Sequence, residues 1–332
     1  MRSRFLLLSS VAVIFLTACS SREYYTPKSI TTTISPSSTS EISSFNRAGA
    51  TLENGMVLTK RGALKLKLKD GFRFINGNSD AIIISNKKGD CTILRKGTSQ
   101  EIKFPKELIA GTVIGNELIY LLRDNNFGIY DLSKKSIVYN NKAEKVFSID
   151  TRVENPIRVE NLVVIPLLSG KLVVLDLKAK KVIKEIIVSI ENKLNNVIFL
   201  KQIKNTLIAA TPYKVISVNN QGRREFEKAI SEVATDGNSI FVFAKDGKIS
   251  RLDLSLTVQD EKKFRFAHFS VSTVYKDRVY ALDKQGYLIV SNKDFTKYRV
   301  YEVPEVDGYS FVSGKYIYYD GNKIDLDSLN YE

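Results

Sequence analysis

The chain has 332 residues, a formal net charge of +14, one histidine, two cysteines and no tryptophan. With so few histidines and cysteines, a zinc site built from these ligands is nearly excluded. The strong positive charge favours acidic partners or anionic lipid headgroups, although a lysine-rich surface also serves simple solubility.

The chain begins with a short basic and apolar segment. Arg2 and Arg4 precede an apolar run from Phe5 to Leu16, and the first eighteen residues contain no acid. The run is interrupted by two serines and is shorter than the about 20 apolar residues that a membrane-spanning helix needs. Residues 1–18 are therefore predicted to be a secretory signal peptide.

The predicted signal ends in Leu16-Thr17-Ala18-Cys19, which resembles the lipobox of bacterial lipoproteins. The resemblance implies cleavage before Cys19 and attachment of acyl chains, such as palmitate, to this residue. Cleavage would leave a mature chain of charge +12, and acylation would leave Cys91 as the sole thiol, so that no internal disulfide could form. Cys91 lies in an alternating, strand-like segment and is expected to be buried and inert.

Residues 19–50 are predicted to be a disordered tether. Fourteen of the 25 residues from 20 to 44 are Ser or Thr, and two prolines interrupt them. Such a segment buries too little apolar surface to offset its ordering entropy, and it would hold the folded part about 25–30 Å from the membrane. Residues 51–332 would then form the folded part.

After the tether, the sequence repeats a pair of strands around a turn. Seven such units recur with a mean separation of 39 residues, close to the period of a four-stranded propeller blade. The units begin at Ser79, Asn116, Glu160, Lys204, Gly237, Lys276 and Ser313. Their apolar runs are typical of strands that are covered on both faces. The sequence therefore predicts an all-β fold, a β-propeller of seven blades.

The two ends of the chain indicate how the ring closes. Residues 309–326 supply three strands, and residues 56–68 contribute strand-like sequence without a complete blade of their own. Because a propeller must join its first and last blades or leave sheet edges exposed, we expect an N-terminal strand to complete the C-terminal blade. An eighth blade is allowed if residues 53–68 form more of one. A β-solenoid is the weaker alternative, since the repeats vary in length.

Few residues of the chain can carry catalytic chemistry. His268 lies in an aromatic segment, where a packed histidine is favoured over a catalytic one, and no Gly-rich phosphate loop occurs. The segment 320–327 contains three aspartates, but they lack the spacing of known calcium loops, and the segment indicates a turn between strands. We therefore predict no catalytic residue, no cofactor and no metal site.

Lysine and arginine cluster at predicted turns between strands. Because turns of one class lie on one face of a propeller, these clusters either converge into a basic surface or remain scattered and solvated. The clusters are Lys60-Arg61, Lys87-Lys88, Lys134-Lys135, Lys178 with Lys180 and Lys181, Arg223-Arg224, and Lys262-Lys263 with Arg265. The predicted export to the cell envelope argues against nucleic acid as the partner.

Two of the repeats resemble a known family. The segments SGKLVVLDL (169–177), followed by KKVI (180–183), and DGKISRLDL (246–254) are similar to repeats of the pyrroloquinoline quinone (PQQ) type. With the lipobox, they resemble the BamB-type propeller lipoproteins of the outer-membrane β-barrel assembly machinery. The tryptophan that ends many such repeats is absent, which argues against the quinone enzymes, whose cofactor site needs stacking aromatics and a metal with carboxylate ligands.

The resemblance implies a non-enzymatic scaffold, anchored through Cys19 at the periplasmic side of the outer membrane, whose loops hold protein partners in outer-membrane protein assembly. Ser20 stands where enteric lipoproteins retained at the inner membrane have aspartate, which favours the outer membrane. A monomer is favoured, and no partner-binding residue is assigned. The alternatives are a propeller of another envelope machine, such as a motor or secretion system, a periplasmic quinoprotein-type enzyme, or a surface adhesin.

Overall fold

The computed structural model describes residues 23–146, 150–190 and 194–329. In these ranges the chain forms eight radial sheets in ring order, which we number as blades 1–8. The predicted all-β propeller is confirmed, but the prediction of seven blades is wrong, and the eighth blade allowed above is present. The described strands begin with two short ones, β1 (Thr32–Thr33) and β2 (Ser37–Ser38), which join blades 7 and 8.

The first four blades follow one another along the chain. Blade 1 comprises β3 (Ile42–Phe45), β4 (Gly49–Leu52), β5 (Met56–Thr59) and β6 (Gly62–Lys67). Blade 2 comprises β7 (Phe72–Gly77), β8 (Ile82–Asn86), β9 (Asp90–Arg95) and β10 (Thr98–Lys103). Blade 3 comprises β11 (Leu108–Ile114), β12 (Glu117–Leu122), β13 (Phe127–Asp131) and β14 (Ser136–Asn141). Blade 4 comprises β15 (Ile157–Val159), β16 (Leu162–Pro166), β17 (Lys171–Asp176) and β18 (Lys181–Ile187).

The last four blades complete the ring. Blade 5 comprises β19 (Phe199–Ile203), β20 (Thr206–Ala210), β21 (Lys214–Asn219) and β22 (Gly222–Glu227). Blade 6 comprises β23 (Ile230–Thr235), β24 (Ile240–Ala244), β25 (Lys248–Leu252) and β26 (Val258–Lys263). Blade 7 contains β27 (Phe269–Tyr275), β28 (Arg278–Asp283), β29 (Tyr287–Asn292) and β30 (Tyr298–Glu302). Blade 8 contains β31 (Ser310–Ser313), β32 (Tyr316–Tyr319) and β33 (Asn322–Asp325), and a 3-10 helix, Leu326–Ser328, follows.

Hydrophobic clusters between neighbouring blades hold the ring together. One cluster joins the sheets of blades 2 and 3, another joins blades 3 and 4, and a third joins blades 7 and 8. The second strand of blade 6, β24, is buried along its whole length, because a neighbouring blade covers each face. The fourth strand β6 instead alternates, with Leu64 and Leu66 packed and Lys65 and Lys67 exposed, as its sequence predicts.

An N-terminal strand closes the ring, as predicted. β2 pairs antiparallel with β33, where Ser37 is opposite Lys323 and Ser38 is opposite Asn322. The closing strand does not come from residues 56–68, which belong to the outer half of blade 1. Blade 8 therefore combines three strands from the C-terminal end with one from the N-terminal end.

The N-terminal segment differs from the disordered tether that the sequence predicts for residues 19–50. Its strand β1 adds to the outer edge of blade 7, parallel to β30, and β3 and the start of β4 belong to blade 1. Tyr25 is 8% exposed and packs edge-on against Phe264 and Tyr287, with ring centroids 6.1 and 5.7 Å apart. Backbone hydrogen bonds order this Ser/Thr-rich segment, and they do not depend on apolar side chains.

In most blades, a glycine lies in the turn between the second and third strands. Its carbonyl accepts a backbone hydrogen bond from the segment that follows the fourth strand of the same blade. In blade 6, Gly247 has φ +79°, and its carbonyl accepts a hydrogen bond from the Phe264 N–H at 2.8 Å. The same contact recurs at Gly55, Gly89, Gly170 and Gly286 in blades 1, 2, 4 and 7. Each glycine has a positive φ, which L side chains rarely adopt.

Candidate functional site

The predicted acylation site, Cys19, lies outside the described part of the chain, which begins at residue 23. The same holds for the other residues of the predicted lipobox, Leu16, Thr17 and Ala18. Within the described ranges, no helix is both long enough and apolar enough to cross a membrane.

The two other residues with reactive side chains have structural positions. Cys91 is buried in blade 2, as predicted, and burial raises the pKa of its thiol to about 12. His268 lies in the link between β26 and β27 rather than in a strand, and its backbone N–H donates to Asp283 at 2.5 Å. The Asp283 carboxylate beside His268 also accepts a hydrogen bond from the Gln285 N–H, which holds it in the turn between β28 and β29.

The central channel, where a ring of inner strands could enclose a ligand, is crossed by segments of the chain itself. The turn between β3 and β4 meets the segment 150–156, which precedes the short inner strand β15. The Arg47 N–H donates to the Val153 carbonyl at 3.2 Å, and Asn155 accepts from the Gly111 N–H at 2.9 Å. We call residues 46–48 and 150–156 the channel plug. Its residues make hydrogen bonds to blades 2, 3 and 6.

Arg47 is the centre of an ion cluster within the channel plug. Its guanidinium lies 2.7 Å from Glu232 of blade 6 and 3.7 Å from Glu154, and the Arg47 and Glu232 side chains are each only 9% exposed. Arg152 binds Asp150 and the Ser231 carbonyl beside it. Burial raises the pKa of Glu154, and the charges of Arg47 and Lys60 oppose this rise. The cluster ties blades 1, 4 and 6 together across the axis.

Two cavities remain at the two sides of the channel plug. One of about 110 Å³ lies beside Arg73, Arg123 and Asp150, and an open bowl of about 410 Å³ lies beside Asn78 and Arg158. Among the described residues, no group of three His, Cys, Asp or Glu side chains could hold a metal. The described residues therefore do not fit the metal-bound quinone that a quinoprotein requires.

The basic clusters divide between the two faces of the disc. In a radial four-stranded blade, turns between the third and fourth strands share one face, and turns between the second and third strands share the other. Clusters at residues 60–61, 134–135 and 178–181 lie at third-to-fourth turns of blades 1, 3 and 4, and Arg223-Arg224 directly follows such a turn in blade 5. Lys87-Lys88 and the 262–265 cluster lie towards the other face.

Three neighbouring blades combine these charges with exposed isoleucines. We call this surface the basic rim and define it by residues 134–139 of blade 3, 178–190 of blade 4 and 222–224 of blade 5. Its exposed apolar side chains are Ile137, Ile183, Ile187 and Ile190. Five of its cations, Lys135, Lys178, Lys181, Lys184 and Arg224, make no ion pair with any described carboxylate.

The edge of blade 4 is the most apolar part of the basic rim. Ile183 and Ile187 on β18 are 53% and 44% exposed, and no described strand pairs with the outer edge of β18. Natural proteins normally protect such edges with charges or cover them. A groove of about 390 Å³ runs beside this edge, between residues 184–187 and residues 218–223 of blade 5. This geometry can accept an extended segment of another protein.

The charges of the basic rim can be recognised in the sequence, but the exposure of its isoleucines cannot. Ile183 lies at a register shift between β17 and β18, so that its side chain does not follow the alternation expected of the strand. In the sequence, KKVIKEII resembles any half-buried strand. The unpaired apolar edge becomes visible only once β18 is known to be the outermost strand.

Comparison with known proteins gives one group of sequence relatives and many similar folds. No protein-family model matches the chain. The plasminogen-binding protein PgbB of two Helicobacter pylori strains is 26% identical over 382 aligned residues, which cover 98% of this chain and 70% of the relative.

Among solved structures, BamB from Moraxella catarrhalis superposes with a TM-score of 0.66 and 12% identity, over 88% of this chain and 97% of that one. The C-terminal WD40 domain of Sif2 superposes with a TM-score of 0.63 and 10% identity, over 89% of this chain and 97% of that one. Identities this low establish the fold alone. The chain is an eight-bladed β-propeller with a remote, BamB-like fold.

Proposed function

We propose that the chain is a non-enzymatic scaffold of the bacterial envelope that holds a protein partner on its basic rim. The observation that carries this proposal is the unpaired outer edge of β18, with its exposed isoleucines beside unpaired lysines. An extended partner segment would add main-chain hydrogen bonds to β18, insert apolar side chains beside Ile183 and Ile187, and place acidic groups near Lys181 and Lys184.

The similar proteins support a binding role over catalysis. PgbB is named for binding plasminogen, and BamB shares the fold, so protein partners fit both. Among the described residues, no group of three His, Cys, Asp or Glu side chains could hold a catalytic metal. The partner class that the BamB-like fold favours is the outer-membrane β-barrel assembly machinery, and a motor or secretion system of the envelope is the alternative within the same class.

Substitution of the rim isoleucines tests the binding surface. Ile183→Asp combined with Ile187→Asp is expected to weaken partner binding at least about tenfold, because exposed apolar residues at the centre of an interface act as hot spots. Co-purification of partners with the variant and with the unsubstituted chain measures the loss, and photocrosslinking from position 183 of the otherwise unsubstituted chain in living cells identifies the protein bound there. Met56→Asp, at an exposed apolar position on blade 1 outside this surface, is the matched control and should leave binding unchanged.

The identity of the crosslinked protein decides between the proposed roles. Recovery of β-barrel assembly components through position 183 supports the assembly role, and their absence from the crosslinked products contradicts it. Equal crosslinking from positions 183 and 56 would show that the basic rim is not the specific surface.

Plasminogen is a second candidate partner, favoured by the relatedness to PgbB over nearly the whole chain. This role requires display on the cell surface, where protease treatment of intact cells would degrade the protein. Binding of purified plasminogen to the intact chain, lost in the variant with Lys181→Glu and Lys184→Glu, would support it. Full protection from protease in intact cells would exclude it.

The lipid anchor is tested by Cys19→Ala. Acylation at Cys19 would supply the membrane attachment, so the variant is expected to lose both signal cleavage by the lipoprotein peptidase and stable membrane association through acyl chains. Mass spectrometry of the N-terminal peptide and membrane fractionation measure the two effects. Unchanged acylation in the variant would refute the assignment of Cys19.

A further inference from the structure

We infer that the outer rim of blades 6 and 7 lies against the phospholipid bilayer, so that the disc stands on edge at the membrane. The inference rests on the proposed acylation of Cys19. It identifies a membrane-contacting surface, separate from the basic rim, and fixes the orientation in which the propeller presents its partner site.

The distance along the chain from the anchor to the propeller is short. Tyr25 is docked between blades 6 and 7, and only five residues lie between it and Cys19. The six steps from Cys19 to Tyr25 span about 20 Å when fully extended. The docked Tyr25 therefore replaces the long flexible tether predicted from composition, and it holds this part of the outer rim close to the acylated residue.

The surface around this docking point is apolar and aromatic. We call it the anchor-side rim and define it by residues 24–30, 258–265 and 298. Tyr24 is 50% exposed and Tyr298 is 39% exposed, and Ile30 and Val258 are also exposed. Tyrosines are enriched where a protein meets the headgroup region, because the ring is apolar and the hydroxyl can remain hydrated.

Cations surround these apolar side chains. Lys262 lies over the ring of Tyr298, with Nζ 5.1 Å from the centroid, and Arg265 lies over the ring of Phe266 at 4.6 Å. Lys28, Lys262 and Arg265 make no ion pair with any carboxylate in the described ranges. These charges are therefore available to anionic headgroups such as phosphatidylglycerol. Salt screens the attraction little when the headgroups lie directly against this rim.

The apolar edge of the basic rim is displaced around the ring from the anchor-side rim. Blades 5 and 6 lie between β18 of blade 4 and the boundary between blades 6 and 7, more than a quarter of the ring. With the anchor-side rim against the bilayer, the edge of blade 4 points away from the membrane. A partner can then reach β18 without displacing the propeller from the lipid surface.

A single tryptophan tests this orientation, because the chain has none of its own. The variants Tyr298→Trp and Ile183→Trp each place one fluorophore on one rim. The full chain is purified from membranes, its acylation is verified by mass, and it is reconstituted into vesicles of phosphatidylethanolamine and phosphatidylglycerol that carry nitroxide-labelled headgroups. We expect fluorescence from the Tyr298→Trp variant to fall at least about twofold, since its side chain lies at headgroup level, and that from Ile183→Trp to remain unchanged.

A charge variant shows whether the cations contribute. Lys28→Glu, Lys262→Glu and Arg265→Glu, added to Tyr298→Trp, should reduce the quenching in these vesicles, although the acyl chains still hold the protein on them. All three positions are on the surface, and an unchanged circular dichroism spectrum confirms the fold.

Each other outcome overturns the inference. Absence of quenching from position 298 in acylated, vesicle-bound protein shows that this rim does not face the lipid, while the anchor itself stands. Quenching from position 183 instead reverses the orientation, and crosslinking of position 298 to a protein in cells identifies a second protein-binding surface. A chain found without acyl groups removes the anchor and this inference with it, whereas the crosslinking from position 183 still reports on partner binding.

Discussion

Replacement of Gly247 by alanine is expected to reduce the free energy of unfolding by about 2–5 kcal/mol. About 1–2 kcal/mol comes from the positive φ of +79°, which an L side chain adopts only with strain. A further about 1–3 kcal/mol comes from overpacking, because an added Cβ would come within 3.0 Å of the Phe264 carbonyl oxygen. Urea unfolding followed by circular dichroism measures the loss.

Gly71→Ala is the matched control for this substitution. Gly71 has the same φ of +79°, but an added Cβ would meet no atom within 4 Å. Its expected cost is about 1 kcal/mol, from the backbone alone. Equal stability of the two variants would show that the Phe264 carbonyl leaves room for a Cβ at position 247. The close contact between the Gly247 turn and the end of the fourth strand would then be wrong.

Arg47→Leu is expected to destabilise the propeller by about 3–5 kcal/mol, the cost of leaving a buried charge without its partner. The substitution removes the cation between Glu154 of the channel plug and Glu232 of blade 6, and both carboxylates remain largely shielded from solvent. Arg123→Leu is the control, because the Arg123 side chain is 60% exposed in its pair with Glu107 and its loss should cost about 0–1 kcal/mol.

The loss caused by Arg47→Leu is expected to depend on pH. Burial raises the pKa of Glu154 in the native chain, and Arg47 opposes this rise, so the substitution raises that pKa further. A carboxyl whose pKa is higher in the folded state favours folding when protonated and disfavours it when ionised. The variant should therefore recover stability as the pH falls towards about 4, the ordinary range for glutamate. Urea titrations at several pH values test this; a difference from the wild type that is independent of pH would contradict it.

Most blades could be predicted from the sequence, because their second and third strands are buried on both faces. Runs such as Ile82-Ile83-Ile84 and Leu172-Val173-Val174-Leu175 must be apolar where neighbouring blades cover them. Because these strands must be apolar, the units of blades 2–8 can be recognised in the sequence. Blade 1 lacks such a run, since β4 is Gly-Ala-Thr-Leu and β3 contains two serines, so its inner half was hidden in the Ser/Thr-rich segment.

The rest of the architecture depends on contacts that leave no side-chain pattern. β1 and β2 consist only of Thr and Ser, and they are ordered through backbone hydrogen bonds to β30 and β33. The segment 150–156 precedes a three-residue inner strand, and only the assembled ring shows that it enters the channel. The charges of the basic rim were visible in the sequence, whereas the unpaired edge that gives them a binding geometry was not.

The order of contacts along the N-terminal segment also determines how the propeller responds to force. Tension applied at the N terminus reaches docked Tyr25 first, and then the hydrogen bonds between β1 and β30. The pairing of β2 with β33, which closes the ring, lies further along the chain and carries load only after β1 has detached. The contacts of Tyr25 and β1 would therefore break before the pairing that closes the ring. The propeller can then remain closed when the membrane to which we propose it is anchored moves.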